Sequence, residues 1–222
     1  MVLEVVNLTG HLLIAMPNLT DPYFTKSVTY ICTHNQDGAM GVVINRPTDM
    51  IYETLFEKIN LTLMPPDKKN LTVFYRHMLQ KPVLLGGPVQ PDRGFILHPF
   101  EALPKTLSYQ IKVGTNQADD SPWDSSITIA SHTSLTTSKD ILEAVAKNAG
   151  PKKMLLSLGY AGWTPGQLES EIAQNAWLSV APKTPEILHK ILFETPHEAQ
   201  LEAALAELGV NYAMLSGVAG HA

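Results

Sequence analysis

Residues 27–45 read SVTYICTHNQDGAMGVVIN, and they contain the clearest structural signal in the chain. The first part is rich in β-branched and aromatic residues, which is typical of a strand. Residues 35–38 then supply an Asp-Gly pair, whose backbone tolerates the positive φ angles of a tight turn. Another apolar run follows from Met40 to Asn45. The stretch therefore predicts a β-hairpin over residues 27–45.

Short apolar runs elsewhere predict further strands, and glycine and proline turns divide them. The predicted strands are 12–16, 83–85, 95–98, 109–113, 127–131 and 154–158. Residues 86–94, 115–123 and 159–163 are predicted as loops. The segment 61–82 contains Pro65-Pro66 and Lys68-Lys69, a composition that favours a surface excursion over a part of the core.

Helix signals are concentrated in the C-terminal half. Three Thr-Pro pairs are each predicted to begin a helix, with threonine as N-cap and proline at the first helical position. They are Thr164-Pro165, Thr184-Pro185 and Thr195-Pro196. Gln167 and Glu198 lie three residues after their threonines, as a capping box requires. Two more helices are predicted, one from a Thr48 cap to about Asn60 and one over residues 139–148.

Composition limits the classes of function. The chain has 222 residues, of which 45% are hydrophobic, so it can bury a core, and we predict one domain over residues 1–222. Sixteen basic and 21 acidic residues give a net charge of −5, which does not favour direct contact with DNA. No apolar run is long enough to span a bilayer. A single cysteine excludes an internal disulfide and favours a cytoplasmic location.

The common cofactor and metal motifs are absent from the sequence. It has no phosphate-binding P-loop, no Rossmann glycine fingerprint, no GxSxG and no HExxH. A metal bound by His34, His98 and His221 would require the fold to bring three distant segments together. Ordinary polar or half-buried histidines are the favoured interpretation. We therefore predict no cofactor and no metal.

Cys32 and His34 form one candidate catalytic pair. Residues two apart on a strand point to the same face, so a thiol and an imidazole could be neighbours there. Such a pair could make the protein a thiol-dependent enzyme or a redox sensor. The alternative is a buried structural cysteine that acts as a small apolar side chain, and we favour it.

The predicted loops supply the candidate ligand-binding residues. Arg46 and Arg93 stand beside Pro47 and Gly94, where a guanidinium could bind a carboxylate or phosphate. The alternative is an arginine that braces its loop by bonding to carbonyls, and we favour it. Two glycine-rich loops, residues 86–94 and residues 159–163, also adjoin predicted strands. The candidates for ligand binding are Asn45, Arg46, Gly86, Gly87, Arg93, Gly159, Tyr160, Gly162 and Trp163.

Several sequence blocks together resemble the YqgE/AlgH family of bacterial proteins. The first is GHLLIAMP at residues 10–17, followed by DPYF at 21–24 and by the hairpin stretch up to NRP at 45–47. The second is GGPV at 86–89 with RGF at 93–95 and LH at 97–98. The third is LGYAGW at 158–163 with GQLE at 166–169, Glu171, Asn175 and WL at 177–178. The blocks span nearly the whole chain.

The resemblance implies an α+β fold of coiled, bifurcated mixed β-sheets that form a barrel-like core, with helices packed around it and mainly in the C-terminal half. It implies little about chemistry, because the family's label of transcriptional regulator derives from a link to alginate control. We therefore expect a non-enzymatic regulatory or binding protein, acting more through indirect contacts than through DNA. Its partner would be another protein or a small anionic ligand. A third hypothesis is that the glycines serve only close backbone approach.

Overall fold

The structure, a computed structural model, describes residues 7–64, 72–100, 122–130 and 132–217. The chain divides into two compact units. The first unit comprises residues 1–47, 84–94 and 157–222, and the second comprises residues 48–83 and 95–156. The prediction of a single domain therefore stays a prediction, and each unit is described by itself.

The described residues form ten strands and seven α-helices. The strands are β1 (Leu12–Ala15), β2 (Val28–Asn35), β3 (Gly38–Val43), β4 (Pro47–Ile51), β5 (Pro82–Leu85), β6 (Val89–Pro99), β7 (Ser126–Ile129), β8 (Thr133–Thr136), β9 (Leu155–Trp163) and β10 (Trp177–Val180). The α-helices are α1 (Tyr52–Lys58), α2 (Val73–Leu79), α3 (Asp140–Ala146), α4 (Gln167–Ala173), α5 (Pro185–His189), α6 (Gln200–Ala206) and α7 (Tyr212–Gly217). A π-helical turn, Lys190–Glu194, extends α5, and a 3-10 turn, His197–Ala199, precedes α6.

An antiparallel sheet forms the body of the first unit. Its strand order is β10-β1-β2-β3-β9, and residues Leu84 and Leu85 of β5 add a parallel pairing to β9. One face of this sheet packs against α4 and two tryptophans. The buried cluster there includes Leu13, Ile31, Trp163, Leu168 and Trp177.

The second unit combines a β6-β8-β7 antiparallel sheet with α1, α2 and α3. Two fully buried tyrosines connect its parts by hydrogen bonds. The Tyr52 hydroxyl accepts from the backbone N–H of Leu156, and the Tyr75 hydroxyl donates to the carbonyl of Ala146, at 2.9 Å each. Burial raises the pKa of both phenols, that of Tyr75 to about 12, so both stay protonated and neutral.

The predicted fold class is confirmed, and so are several of the predicted elements. The chain is α+β with mixed sheets, and five of the seven described α-helices lie in its C-terminal half. The hairpin at residues 27–45 is present as β2 and β3. Thr184 caps α5 by accepting from the N–H of Ile187. The prediction that Thr164 caps a helix beginning at Pro165 is wrong, because α4 begins at Gln167 after Gly166 and the Thr164 hydroxyl donates to the Gln167 side chain. The predicted strand 109–113 lies outside the described residues.

Tertiary pairing overrides other predictions from local signals. Residues 47–51 form a strand that pairs with β5, so α1 begins after Ile51 and the Thr48 hydroxyl bonds to Val83 instead of capping the helix. Residues 61–82 are not only a surface excursion, because α2 lies within them and buries Tyr75. The Thr195 hydroxyl donates back to the carbonyl of Lys190, so it does not cap the next helix.

Two predicted loops were also wrong in extent. Residues 89–94 belong to the eleven-residue strand β6, and residues 159–163 belong to β9. Their glycines and prolines suggested turns, yet pairing between neighbouring strands keeps both segments extended. The candidate residues of these segments therefore lie on strands.

Candidate functional site

An open cleft of about 520 Å³ lies beside the β2–β3 turn in the first unit, and we call it the hairpin cleft. Its residues come from the hairpin, from the first residue of β6, from β9 and from the residues just before α4. They are Thr33, Asn35, Asp37, Gly38, Ala39, Met40, Val89, Tyr160, Gly162, Trp163, Thr164 and Pro165. Three predicted candidates, Tyr160, Gly162 and Trp163, are among them.

Gly38 allows the β2–β3 turn to approach β9, and a second glycine, Gly162, lies beside an aromatic ring of the cleft. Gly38 has φ +123°, and a Cβ there would lie 2.2 Å from the backbone oxygen of Trp163. Gly162 pairs with Met40 across β3 and β9, and a Cβ on it would lie 3.3 Å from the Tyr160 ring. The missing side chains leave the open space, and the Tyr160 ring lies beside Gly162.

The electrostatics of the hairpin cleft are acidic. Asp37 is exposed at its rim, and the twelve lining residues include no lysine, arginine or histidine. The surrounding charge has the same sign, because the sequence ranges of the first unit contain five basic and eleven acidic residues. A small anion is therefore disfavoured in this cleft, and a neutral or cationic group is favoured.

Three other candidate glycines meet at a close contact between backbones. A Cβ on Gly86 would lie 2.3 Å from the oxygen of Gly159, and one on Gly87 would lie 2.2 Å from the carbonyl carbon of Tyr160. Gly87 has φ +151° and Gly159 has φ +73°. The structure thus brings together the glycines of two predicted loops, and their lack of side chains is what allows the contact.

Glu171 organises the third sequence block, and sequence reasoning did not assign it this role. Its Oε2 accepts the indole N–H groups of Trp163 and Trp177, each at 2.8 Å, and its Oε1 accepts the Gln167 amide at 2.9 Å. The two indole rings pack edge to face with centroids 5.8 Å apart. The signal was available, because Gln167 and Glu171 are four apart on a predicted helix that follows one tryptophan and precedes the other.

Asn45 and Arg46 hold the turn before β2. The Asn45 amide oxygen accepts from the N–H of Val28, and its amide nitrogen donates to the carbonyl of Lys26, whose φ is +57°. The Arg46 guanidinium donates to the carbonyl of Thr25 at 2.7 Å. Arg93 contacts the Gln90 side chain at 3.4 Å. None of these three candidates lines the hairpin cleft.

The observed contacts of Cys32 and of His34 are each with a third residue. The Cys32 side chain is 1% exposed, burial raises the pKa of its thiol, and the Sγ contacts the carbonyl of Tyr30. The Nδ1 of His34 accepts from the N–H of Leu8, so its Nε2 carries the proton and donates to Glu169 at 3.0 Å. The register of β2 also shifts between Ile31 and Thr33, as at a β-bulge. No observed contact supports a thiol–imidazole pair.

Metal and membrane sites were also sought in the described part of the chain. Within it, no group of three or more histidine, cysteine or acidic side chains could hold a metal ion. His221, a member of the metal set considered above, lies outside the described residues. No described helix is both long enough and apolar enough to cross a bilayer.

Comparison with known proteins identifies the family. The AlgH-like family model, DUF179, matches residues 12–213. UPF0301 proteins of Burkholderia mallei and Burkholderia thailandensis are each 46% identical to the chain over 217 residues, which is 98% of this chain and 96% of theirs.

Two solved structures are similar as well. The solution structure of the AlgH protein from Pseudomonas aeruginosa has 40% identity and a TM-score of 0.64, covering 99% of this chain and 98% of that one. The protein DIP2367 from Corynebacterium diphtheriae, at 21% identity and a TM-score of 0.52 over 81% of this chain and 78% of its own, shows the fold alone. The glycine contacts and the tryptophan–glutamate network described above thus lie in a chain that belongs to the AlgH-like family.

Proposed function

We propose that this protein is a non-enzymatic binding protein whose binding surface is the hairpin cleft. The observation that carries the proposal is the cleft itself, about 520 Å³ of open space between a hairpin turn and a strand. Rigid elements surround it, because β2 and β3 pair over six positions and β3 pairs with β9. Surfaces held on a rigid scaffold are where binding sites commonly form.

A protein segment is the partner that the lining favours. Met40, Val89 and Tyr160 offer apolar contact, while Thr33 and Asn35 offer hydrogen-bonding groups. The Asp37 carboxylate stands at the turn, so a lysine or arginine of the partner would pair with it. An exposed ion pair of this kind contributes only about 0.2–1 kcal/mol to binding, so it contributes more to specificity than to affinity. The small anionic ligand is the less favoured class.

Any regulatory role would then act through protein contacts. The net charge of −5 and the acidic balance of the first unit oppose tight binding to a phosphate backbone. The free, buried Cys32 supports a reducing compartment, and we propose a cytoplasmic location.

Nuclear magnetic resonance mapping of amide shifts tests the proposal. We would titrate the full chain with short peptides that are basic, neutral or acidic, and with inorganic phosphate, nucleotides and duplex oligonucleotides. Basic peptides with an apolar residue should shift the amides of residues 33–40 and 160–165. Asp37→Lys should weaken that binding, whereas Glu202→Lys, which reverses an exposed charge on α6, should weaken it much less.

Three results would contradict the proposal, two of them from other ligands and one from the peptides themselves. One is binding of phosphate or nucleotides with shifts centred on Arg46 or Arg93, which would support the small-anion class. The other is tight, strongly salt-dependent binding of duplex DNA. Peptide shifts that leave residues 33–40 and 160–165 unmoved would place the binding surface elsewhere.

A further inference from the structure

A chain of hydrogen bonds crosses the buried face of the second unit's sheet. His98 is 1% exposed, and its Nδ1 lies 2.9 Å from the carbonyl oxygen of Pro99. Its Nε2 lies 2.9 Å from the Thr136 hydroxyl, which lies 2.6 Å from the Ser126 hydroxyl. The Ser126 hydroxyl in turn lies 3.1 Å from the carbonyl oxygen of Trp123. We call these three side chains the β7–β8 relay.

The strand register explains why these side chains meet. Ser126 and Thr136 are direct partners in the β7–β8 ladder, and Ile96 is the partner of Thr136 in the β6–β8 ladder. His98 is two residues further along β6, so it reaches Thr136 diagonally. The relay is therefore built by three strands and depends on no flexible loop.

The number of protons in the relay determines how many of its four contacts can be hydrogen bonds. Three groups that can both donate and accept stand between two carbonyl oxygens that can only accept, which makes four contacts. With a neutral His98 the relay has three protons, one from each side chain. A fourth proton, on a cationic His98, would complete all four hydrogen bonds.

The proton count, combined with the carbonyl beside Nδ1, implies which contact lacks a proton in the neutral form. A carbonyl faces Nδ1, so the neutral ring carries its proton there, and Nε2 accepts from Thr136. Thr136 then accepts from Ser126, and the Ser126 proton is used. The contact without a proton is Ser126 to Trp123, which is the longest of the four at 3.1 Å.

We propose that the β7–β8 relay is a proton-operated latch, in which protonation of His98 reverses the direction of both hydroxyls and fastens the Trp123 carbonyl to Ser126. In the protonated form Nδ1 donates to Pro99, Nε2 to Thr136, Thr136 to Ser126, and Ser126 to Trp123. All four hydrogen bonds are then made, and they run outward from His98 on both sides of the ring. Acidification would thus add a hydrogen bond at Trp123 to a segment that Asp124 and Ser125 already tie to the residues after β8.

The ionisable groups nearby do not replace this proton. The described ionisable groups on β6 and beside β7 and β8 are Asp92 and Arg93 on β6, His132 in the turn between β7 and β8, Asp124 before β7, and Lys139, Asp140 and Glu143 after β8. The Asp140 carboxylate bonds to the N–H of Asp124 and to the Ser138 hydroxyl. Burial lowers the pKa of His98 and the bond to Pro99 raises it, with no contribution from a neighbouring charge. The latch therefore responds at a pH below the one at which an ordinary imidazole titrates.

Nuclear magnetic resonance of the unmodified protein gives the first test. Nitrogen shifts of the His98 ring near pH 7.5 should show the tautomer with its proton on Nδ1. On acidification, the emission of Trp123 should change with the same midpoint as the His98 ring. To isolate that emission, the titration is repeated with Trp163→Phe and Trp177→Phe present.

Variants of the relay give the second test. Ser126→Ala removes a bond that only the charged form completes, so the His98 midpoint should fall by about half to one pH unit, a three- to tenfold loss of proton affinity. Thr136→Ser keeps a hydroxyl and should retain the Trp123 response, whereas Thr136→Val should lose it. Ser134→Ala is the matched control, because Ser134 is buried opposite His98 and its hydroxyl has no hydrogen-bond partner.

Three results would overturn the latch. The first is a neutral His98 with its proton on Nε2. The second is a His98 that stays neutral down to the pH at which the protein unfolds. The third is a Trp123 response that is the same in Ser126→Ala as in Ser134→Ala. The tautomer measurement needs no substitution, so it can overturn the latch even if a variant fails to fold.

Discussion

Replacement of Glu171 by alanine should destabilise the protein substantially. The carboxylate accepts two indole N–H groups at 2.8 Å, and Trp163 and Trp177 are only 7% and 4% exposed. A buried donor that loses its acceptor costs about 1–3 kcal/mol. Because Glu171 itself is only half-buried, we take about 1.5 kcal/mol for each indole from that range and expect a loss of about 3 kcal/mol in the free energy of unfolding.

Urea unfolding followed by far-ultraviolet circular dichroism measures this loss without relying on the tryptophans themselves. The thermal midpoint should also fall by about 6–12 °C for a chain of this size. Glu171→Gln should cost less, about 1 kcal/mol, because one amide oxygen can still accept from the indoles. Glu202→Ala, at an exposed glutamate on α6, is the control and should change stability by less than about 0.5 kcal/mol.

A double-mutant cycle isolates the network from general damage. Trp177→Phe should cost about 1–2 kcal/mol less in the Glu171→Ala background than in the natural sequence, because its hydrogen bond is then already lost. Equal costs in the two backgrounds would refute the reasoning. So would a Glu171→Ala protein as stable as the Glu202→Ala control.

The remaining predictions concern the glycines, the thiol and pH. Gly87→Ala should prevent folding or cost several kcal/mol, because its Cβ would lie 2.2 Å from the Tyr160 backbone, whereas Gly166→Ala, with φ +74° and open space around it, should cost only about 1–2 kcal/mol in urea unfolding. Cys32 should react with iodoacetamide at pH 7.5 much more slowly than free cysteine until urea unfolds the protein, and fast labelling of the folded protein would revive the thiol hypothesis. Burial lowers the pKa of both His11 and His98, so the unfolded chain binds more protons below about pH 6.5. Stability should therefore fall as the pH drops from 6.5 through the lower folded-state values, and His98→Gln should reduce that fall.

The elements that local sequence predicted well share one property. Each is specified by residues close together in the chain, such as the Asp-Gly turn between β2 and β3 or the Thr184 cap of α5. The elements predicted wrongly depend on distant partners. Thr48 is an adequate N-cap by type, yet its hydroxyl bonds to Val83 because residues 47–51 pair with β5. The strand pairing between residues 47–51 and β5 stabilises the chain more than a helix cap at Thr48 would.

The residues of the hairpin cleft likewise include some that local sequence predicted and some that only strand pairing brings there. The sequence predicted Tyr160, Gly162 and Trp163 as candidates, because glycines beside aromatics before a helix are locally visible, and the structure places these three at the hairpin cleft. The cleft also needs Asp37 and Met40, which lie more than a hundred residues away and reach it only through the β3–β9 pairing. Glu171 was visible as a motif residue, but its two indole partners on different strands were not.

The sequence by itself determined the fold class, the main hairpin, the acidic balance and the family, since composition, local pairs and short blocks carry that information. The tertiary structure alone decided which groups share a proton or a cleft. His98, Thr136 and Ser126 are up to 38 residues apart, and only the register of β6, β8 and β7 joins them. The physical reason is that a hydrogen bond depends on a distance of about 3 Å between two atoms, and pairing between distant strands sets that distance.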